Sequence, residues 1–286
     1  MTVLLKYENV KWNLPFMTGK HIVFADNFIR KIHQAEDSYP VQYLHGSILC
    51  KWSGGDIIPT LNYNFEVPTS LKESFAKAVN VFSSYHITDE DLRDKDSNRI
   101  LESYTEIKSE VEVSSDKLYD YIKSRFPYII TTASVVKSIY ELEEGNEVEF
   151  YKRLLDKYDR VVLSPKYVKE KFMQDYDKFE DLSRFEIIVN DRCINNCPRI
   201  KDCIESVEND ILFKNCPKNN MSLKDLYNSS LALNEEEMDN LVNIGINIFR
   251  LEGQDLASED AKSVVTNYML KRFGVATFFM YTVGGS

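Results

Sequence analysis

Short apolar runs alternate with amphipathic helical segments along most of this 286-residue chain. Seven runs are rich in β-branched or aromatic residues and bounded by polar residues, which is typical of strands. They are VQYLHGSIL (41–49), VFSSYHIT (81–88), SEVEV (109–113), YIITT (128–132), RVVLS (160–164), RFEIIV (184–189) and INIFRLE (246–252). Seven or eight strand-then-helix units predict an α/β fold, a TIM-like (β/α) barrel that is complete or open. A doubly wound open sheet is the alternative.

The same pattern predicts a single domain with short additions at both ends. Residues 41–274 form the barrel in this interpretation, with residues 1–40 as an N-terminal extension packing on it. Residues 275–286 are a C-terminal tail or the last strand. We expect an eighth strand from HIVFA (21–25) or from VATFFMYTV (275–283), because both runs are apolar and of strand length.

Helix signals lie between the strands. A helix is predicted to start at Ser70, because apolar residues recur at helical spacing as far as Phe82. Asn234 is expected to cap a later helix, with Glu237 completing a capping box, and Gly245 is expected to end it. The chain has neither GxGxxG nor GxxxxGK[ST], which disfavours nucleotide-binding folds.

Charge and hydropathy argue against two classes of protein: those that bind nucleic acid over a broad basic face and those that span a membrane. The net charge is −10, which disfavours a broad basic face for nucleic acid but leaves a small-molecule or locally bound nucleic-acid substrate open. No run approaches the ~18 apolar residues of a membrane span. The N-terminus has no basic region followed by an apolar run, so we expect no secretory signal, a cytoplasmic location and reduced thiols.

Four of the five cysteines lie close together, after the predicted strand 184–189. Cys193, Cys197, Cys203 and Cys216 have the spacing C-x3-C-x5-C-x12-C. Thiolates bind zinc or iron–sulfur clusters, and four of them suffice for either. We therefore expect these cysteines to be metal ligands, with an iron–sulfur cluster as the leading cofactor and zinc as the alternative. Ordinary cysteines in a loop are the remaining interpretation.

Polar residues that follow the strands are candidates for the site, because barrel enzymes keep their chemistry at the C-terminal strand ends. Candidate catalytic residues are Glu252, Lys166 and His86, and candidate substrate-binding residues are Asn190, Asp191, Gln254 and Trp52. Glu252 is a better candidate than the average member of this set, since a carboxylate that ends an apolar strand needs a partner or a function. Trp52 is equally well explained as a hydrophobic lid residue.

Two motifs resemble the collagenase-like peptidase family (peptidase family U, number thirty-two). NIGINIFRLEGQDLASEDAKSVVTNYML (243–270) resembles its G-I-x-x-[FL]-K-[IL]-E-G-R … Y … V-V-x-x-Y segment. VNDRCINNCPR (189–199) resembles the V-N-x-x-C-x-x-N-C-P-x-R-x-x-H signature of related barrel proteins. The resemblance implies a TIM-like barrel, and several relatives are iron–sulfur proteins that hydroxylate RNA bases or quinone precursors without oxygen.

The resemblance also assigns residues by position. Cys193 and Cys197 match the signature cysteines, and Glu252 matches the glutamate of E-G-R. Asn190 and Arg199 match polar positions, which adds Arg199 to the candidate substrate-binding residues. Two positions depart from the pattern: Gln254 stands where the family has arginine, and Cys203 stands where the signature has histidine.

These observations give three hypotheses. The first is a barrel with a cysteine-ligated metal centre, acting as a tailoring enzyme such as an oxygen-independent hydroxylase. The second is a non-enzymatic protein, zinc-stapled or metal-free, whose rim loops capture a partner, which can be another protein. The third is a peptidase, which no nucleophile–base spacing or metal motif supports.

Overall fold

The computed structural model describes residues 5–15, 28–30, 32, 39–53, 76–106, 109–191, 193, 197–208, 216, 231–253 and 258–271. Its strands are β1 (Lys11–Leu14), β2 (Val41–Gly46), β3 (Lys77–Phe82), β4 (Glu110–Val113), β5 (Thr131–Ala133), β6 (Arg160–Val162), β7 (Phe185–Ile188) and β8 (Ile248–Arg250). All pair in parallel in chain order, and β1 also pairs with β8, which closes the barrel. The (β/α) barrel prediction is confirmed in its complete form.

Helices surround the barrel. They are α1 (Lys95–Glu106), α2 (Asp116–Arg125), α3 (Val135–Glu141), α4 (Glu147–Lys157), α5 (Pro165–Glu170), α6 (Phe172–Asp175), α7 (Ile200–Glu208), α8 (Glu235–Asn243) and α9 (Ser258–Met269). Short 3₁₀ turns occupy Asp91–Arg93, Tyr176–Lys178 and Leu182–Arg184. None of the helices in the described ranges is both long enough and apolar enough to cross a membrane.

The first strand of the barrel lies upstream of the range expected from the sequence. β1 comes from residues 11–14, so the barrel does not begin at residue 41 and residues 1–40 are not only a packing extension. The segment KWNL has four residues and no β-branched side chain, which explains why the pattern did not reveal it. The two runs proposed for an eighth strand, 21–25 and 275–283, lie outside the described residues.

The predicted helix from Ser70 to Phe82 is wrong at its C-terminal end. Residues 77–82 form β3, which pairs with β2 and β4. Periodicity alone does not separate a short apolar strand from a buried helical turn, and here the pairing with two neighbouring strands decides the outcome. Residues 70–75 lie outside the described residues.

The capping signals of α8 are confirmed. Asn234 Oδ1 accepts a hydrogen bond from the Glu237 backbone N–H at 2.9 Å, and Glu237 Oε2 accepts from the Asn234 N–H at 2.8 Å. Gly245 then has a φ of +104°, in the left-handed region that favours glycine. This helix delivers the chain to β8, whose last residues contribute to the site.

The strands place charged side chains inside the barrel. Glu112 on β4 contacts Arg250 on β8, although β4 pairs only with β3 and β5. The contact must therefore cross the barrel interior. Alternation along β4 turns Val111 and Val113 outward, where they join the apolar core beneath the helices. Branched apolar residues usually fill the interior of such barrels, so this polar filling is a specific feature of the chain.

Candidate functional site

A cavity of about 670 Å³ lies at the C-terminal end of the barrel. Ser134, Ser164 and Asp191 follow strands β5, β6 and β7, and all three line it. Its volume is within the range of about 300–1,000 Å³ that small-molecule sites occupy. Much of the wall is apolar. This part of the lining consists of Val81, Val135, Val136, Ile139, Leu142, Pro165, Ile188, Ile200, Ile204 and Leu231.

Three charged residues, Glu112, Arg250 and Glu252, line the end of the cavity nearest the barrel interior, and we call them the floor. Arg250 Nη1 donates a hydrogen bond to Glu112 Oε2, and Arg250 Nε donates to Glu252 Oε1 at 2.6 Å. The side chains of Arg250 and Glu112 are 5% and 2% exposed, whereas that of Glu252 is 25% exposed. Glu252 is therefore the floor residue most open to a ligand.

Asn13, His45 and Glu186 support the floor from the barrel interior. Asn13 Nδ2 donates to Glu186 Oε1 at 2.8 Å, so Asn13 Oδ1 is left to accept from His45 Nδ1 at 2.9 Å. The other ring nitrogen of His45, Nε2, lies 3.7 Å from Glu252 Oε2 and has no hydrogen-bond partner among the described residues. Arg250 Nη1 is also 3.6 Å from Glu186 Oε1. Arg250 thus holds one oxygen of the Glu252 carboxylate by a hydrogen bond, and the His45 ring lies near the other oxygen.

Arg250 and Glu252 stay charged near neutral pH. Burial alone would raise the pKa of Glu252, but the guanidinium of Arg250 and the ring of His45 lower it to about 2. Burial alone would lower the pKa of Arg250, but Glu112, Glu252 and Glu186 raise it above its usual value. A carboxylate with such a low pKa is a weak base. Glu252 is therefore better suited to electrostatic binding than to proton abstraction.

A second charged layer lies deeper in the barrel. Arg160 Nη2 donates to Glu110 Oε2 at 2.6 Å, and Lys77 Nζ lies 3.0 Å from Glu110 Oε1. Burial alone would lower the pKa of Arg160, but Glu186 and Glu110 raise it, which indicates that Glu186 belongs to this layer as well. The layer thus contains two carboxylates and two cations, so its formal charges cancel. The Arg160 guanidinium also lies 4.1 Å from the centre of the Tyr43 ring.

The upper wall of the cavity carries further polar groups. Lys171 Nζ pairs with Glu147 Oε1 at 2.6 Å. Lys166 is exposed and makes no ion pair within the described residues. Ser83 Oγ is buried and has no hydrogen-bond partner in the part of the chain that the structure describes. Among the described residues, six carboxylates and three cationic side chains line the cavity: Glu112, Glu144, Glu147, Glu170, Asp191 and Glu252, with Lys166, Lys171 and Arg250.

Of the residues proposed from the sequence, Glu252, Lys166 and Asp191 line the cavity. Asp191 Oδ1 accepts from the backbone N–H of Cys193 at 2.7 Å, which shapes the turn after β7.

Asn190 is 5% exposed, and its amide donates to the Glu252 carbonyl oxygen and accepts from the Glu252 N–H, both at 2.7 Å. Asn190 thus joins the ends of β7 and β8 through one donated and one accepted hydrogen bond to the Glu252 backbone.

The structure places three other proposed residues away from the cavity. His86 is exposed and lies against the rings of Tyr85 and Tyr140. Arg199 pairs with Asp202 at 3.1 Å at the start of α7.

Trp52 is the third. It is fully buried against Phe82 and Tyr121, and its Nε1 donates to the Asp91 carbonyl oxygen at 2.7 Å, so its role is core packing. Gln254 lies outside the described residues.

The cysteines divide into two groups. Cys193 and Cys197 line the cavity, whereas Cys203 and Cys216 do not, and all four side chains are half-buried. In the described part of the chain, no three His, Cys, Asp or Glu side chains come together in a way that could hold a metal ion. The iron–sulfur and zinc assignments therefore stay predictions from the sequence.

Burial raises the pKa of the Cys50 thiol, which disfavours the thiolate that metals bind.

Sequence reasoning missed Glu112, Arg250, Glu186 and Asn13. A usable signal was present, because Glu110 and Glu112 alternate with valines in SEVEV, and Arg250 stands inside an apolar strand. The argument that selected Glu252, a charge within an apolar run, applies equally to these residues. Their mutual contacts join strands that are distant in the sequence, so the arrangement itself needed the closed barrel.

No family model, curated protein or solved structure matches this chain. The resemblance to the collagenase-like peptidase family therefore stays a prediction that depends on two motifs.

Proposed function

We propose that this protein binds a small molecule in the cavity at the C-terminal end of the barrel, with Glu252 as the charged anchor. One observation carries the proposal: an apolar-walled cavity of about 670 Å³ ends on a fixed array of buried charges. Most sites for small molecules combine a largely apolar wall with a few oriented polar groups.

Two polar side chains of the cavity lining, Ser83 and Lys166, support this proposal. Ser83 Oγ is buried without a hydrogen-bond partner from the described ranges, and an unpaired buried hydroxyl is costly unless a ligand or water satisfies it. Lys166 has no ion-pair partner among the described residues and stays available to a ligand. We further propose a cytoplasmic location, because the five cysteines are thiols rather than disulfides, as is usual in a reducing compartment.

A ligand screen with two tryptophan variants tests the binding proposal. Ile139→Trp on α3 would fill the cavity, while Met173→Trp adds the same side chain to an exposed position outside it. Thermal shifts with a chemically diverse small-molecule library should identify ligands that stabilise the wild type and Met173→Trp but not Ile139→Trp. Ligands that stabilise all three proteins equally, or a library without any binder, would refute the proposal.

A second candidate function is a tailoring enzyme, such as an oxygen-independent hydroxylase, built around a cysteine-bound iron–sulfur or zinc centre. The observation that favours it is that Cys193 and Cys197 line the same cavity. Against it, the four cysteines do not converge in the described part of the chain.

Anaerobic purification with iron, zinc and sulfide analysis distinguishes the two candidates. A metal centre predicts stoichiometric metal that Cys197→Ser abolishes and Cys50→Ser retains. Absence of metal from the anaerobic wild type would refute it.

The peptidase hypothesis gains no support from the site. Among the described histidines, His45 contacts Asn13 and Glu252, and His86 packs on tyrosine rings. Neither is paired with a serine or cysteine there, so no nucleophile–base pair is formed within the described residues.

A further inference from the structure

One donor nitrogen of the floor residue Arg250 is left unused by the described part of the chain. Its Nε donates to Glu252 Oε1 and its Nη1 donates to Glu112 Oε2, whereas its Nη2 donates no hydrogen bond within the described residues. Some atoms of the barrel interior, such as Arg160 Nη1, are fully buried without a partner, but Arg250 Nη2 is not one of them. Because Arg250 lines the cavity, its Nη2 is open to a ligand there.

A hydrogen-bond acceptor lies directly beside this donor. Nη2 and Nε are neighbours in the fixed fork of the guanidinium, and Nε binds Glu252 Oε1 at 2.6 Å. The other oxygen of this carboxylate, Oε2, has His45 Nε2 at 3.7 Å, which is longer than a hydrogen bond, so it can accept from a ligand. Glu252 also lines the cavity, and its side chain is 25% exposed. The floor therefore offers a donor and an acceptor next to each other.

From this pairing we infer that the ligand is a neutral molecule with a primary carboxamide head and an apolar body. The carbonyl oxygen of the head accepts from Arg250 Nη2, and its NH₂ group donates to Glu252 Oε2. The body packs on the apolar part of the cavity wall, which includes Val136, Ile139 and Ile204. This inference rests on the proposed function, because it names the ligand class of the same cavity.

A charged head matches only half of this donor–acceptor pair. A carboxylate can accept from Arg250, but it meets the carboxylates of Glu112 and Glu252, which Arg250 already binds. An ammonium can donate to Glu252, but it meets the guanidinium of Arg250. Moving either charged head out of water also costs more free energy than moving a neutral amide.

The six other charged residues of the described lining do not select a charged head. Four of them already have interaction partners: Glu147, Lys171, Glu170 and Asp191. The other two, Glu144 and Lys166, are exposed and opposite in charge. The contacts at the floor therefore decide which head group is bound.

Four probes with a six-carbon chain test the inference: hexanamide, N,N-dimethylhexanamide, hexylammonium and hexanoate. Dissociation constants are measured by ligand-observed NMR titration of the full chain at pH 7. We expect hexanamide to bind roughly tenfold more tightly than each of the other three, the effect of one further charge-assisted hydrogen bond. The dimethyl amide keeps the carbonyl acceptor but cannot donate to Glu252, so it tests that contact separately.

The variant Glu252→Gln tests the same contact from the side of the protein. It replaces a carboxylate by an amide that can also donate, so hexanoate can be bound both by Arg250 and by the new side chain. We expect the tenfold preference for hexanamide over hexanoate to disappear. Glu149→Gln, on an exposed side chain of α4, should leave this preference unchanged.

The outcomes separate this inference from the proposed function. If any other probe binds as tightly as hexanamide, or if Glu252→Gln keeps the preference, the carboxamide inference is wrong, while binding that is sensitive to Ile139→Trp keeps the cavity proposal. If none of the four probes binds, the inference is also wrong, and the diverse screen decides the function independently. Should Glu252→Gln fail to fold, the comparison of the four probes on the wild type still decides.

Discussion

Arg250 gives the sharpest test of the charged floor. Its side chain is 5% exposed and contacts Glu112, Glu186 and Glu252, of which the first two are 2% and 1% exposed. Replacing it by methionine keeps a similar volume but leaves buried carboxylates without their shared cation. Removing one partner of a buried ion pair typically costs about 3–5 kcal/mol, and we expect a loss of this size in the free energy of unfolding.

Urea denaturation followed by circular dichroism at pH 7 measures this loss. Arg153→Met is the control, because Arg153 is 65% exposed and pairs with Glu141 at the surface, so it should cost about 1 kcal/mol or less. The double variant Arg250→Met with Glu112→Gln should recover part of the stability, since it removes one unpaired charge. If Arg250→Met costs no more than the control, or the double variant is less stable than the single one, the floor is not an ion-pair array.

Three other predictions concern stability. Glu252→Gln should lower the free energy of unfolding by about 3 kcal/mol above pH 4.5, because the pKa of Glu252 falls from 4.5 to about 2 on folding. That difference should shrink as the pH falls towards 2, and urea titrations at several pH values check it. Asn234→Ala should cost about 1 kcal/mol by loss of the α8 cap, with Glu235→Ala as the control for the first turn. Lys137→Met should cost about 2–3 kcal/mol by urea denaturation, since its fully buried ammonium contacts two carboxylates.

The fold was largely predictable because the strands of this barrel are short, apolar and separated by helices. Seven of the eight strands overlap runs that the sequence identifies, although β3 begins inside a segment with helical periodicity. β1 escaped detection because a lysine and an asparagine occupy two of its four positions. Asn13 is polar because it faces Glu186 and His45 inside the barrel, which a local pattern does not reveal.

The candidate site was predictable in part. Glu252 was identified because a carboxylate at the end of an apolar strand needs a partner, and Arg250 is that partner. The contact between Glu112 and Arg250 joins residues 138 positions apart, so no local motif contains it. Trp52 was misjudged because an aromatic residue after a strand can either face a ligand or pack in the core.

The most direct test of the cavity proposal is a crystal structure of the protein with a library ligand that stabilises the wild type but not Ile139→Trp. We expect density for the ligand against the apolar wall, with one of its polar atoms within about 3 Å of a Glu252 carboxylate oxygen. A ligand bound elsewhere on the protein while the cavity stays empty would contradict the proposal.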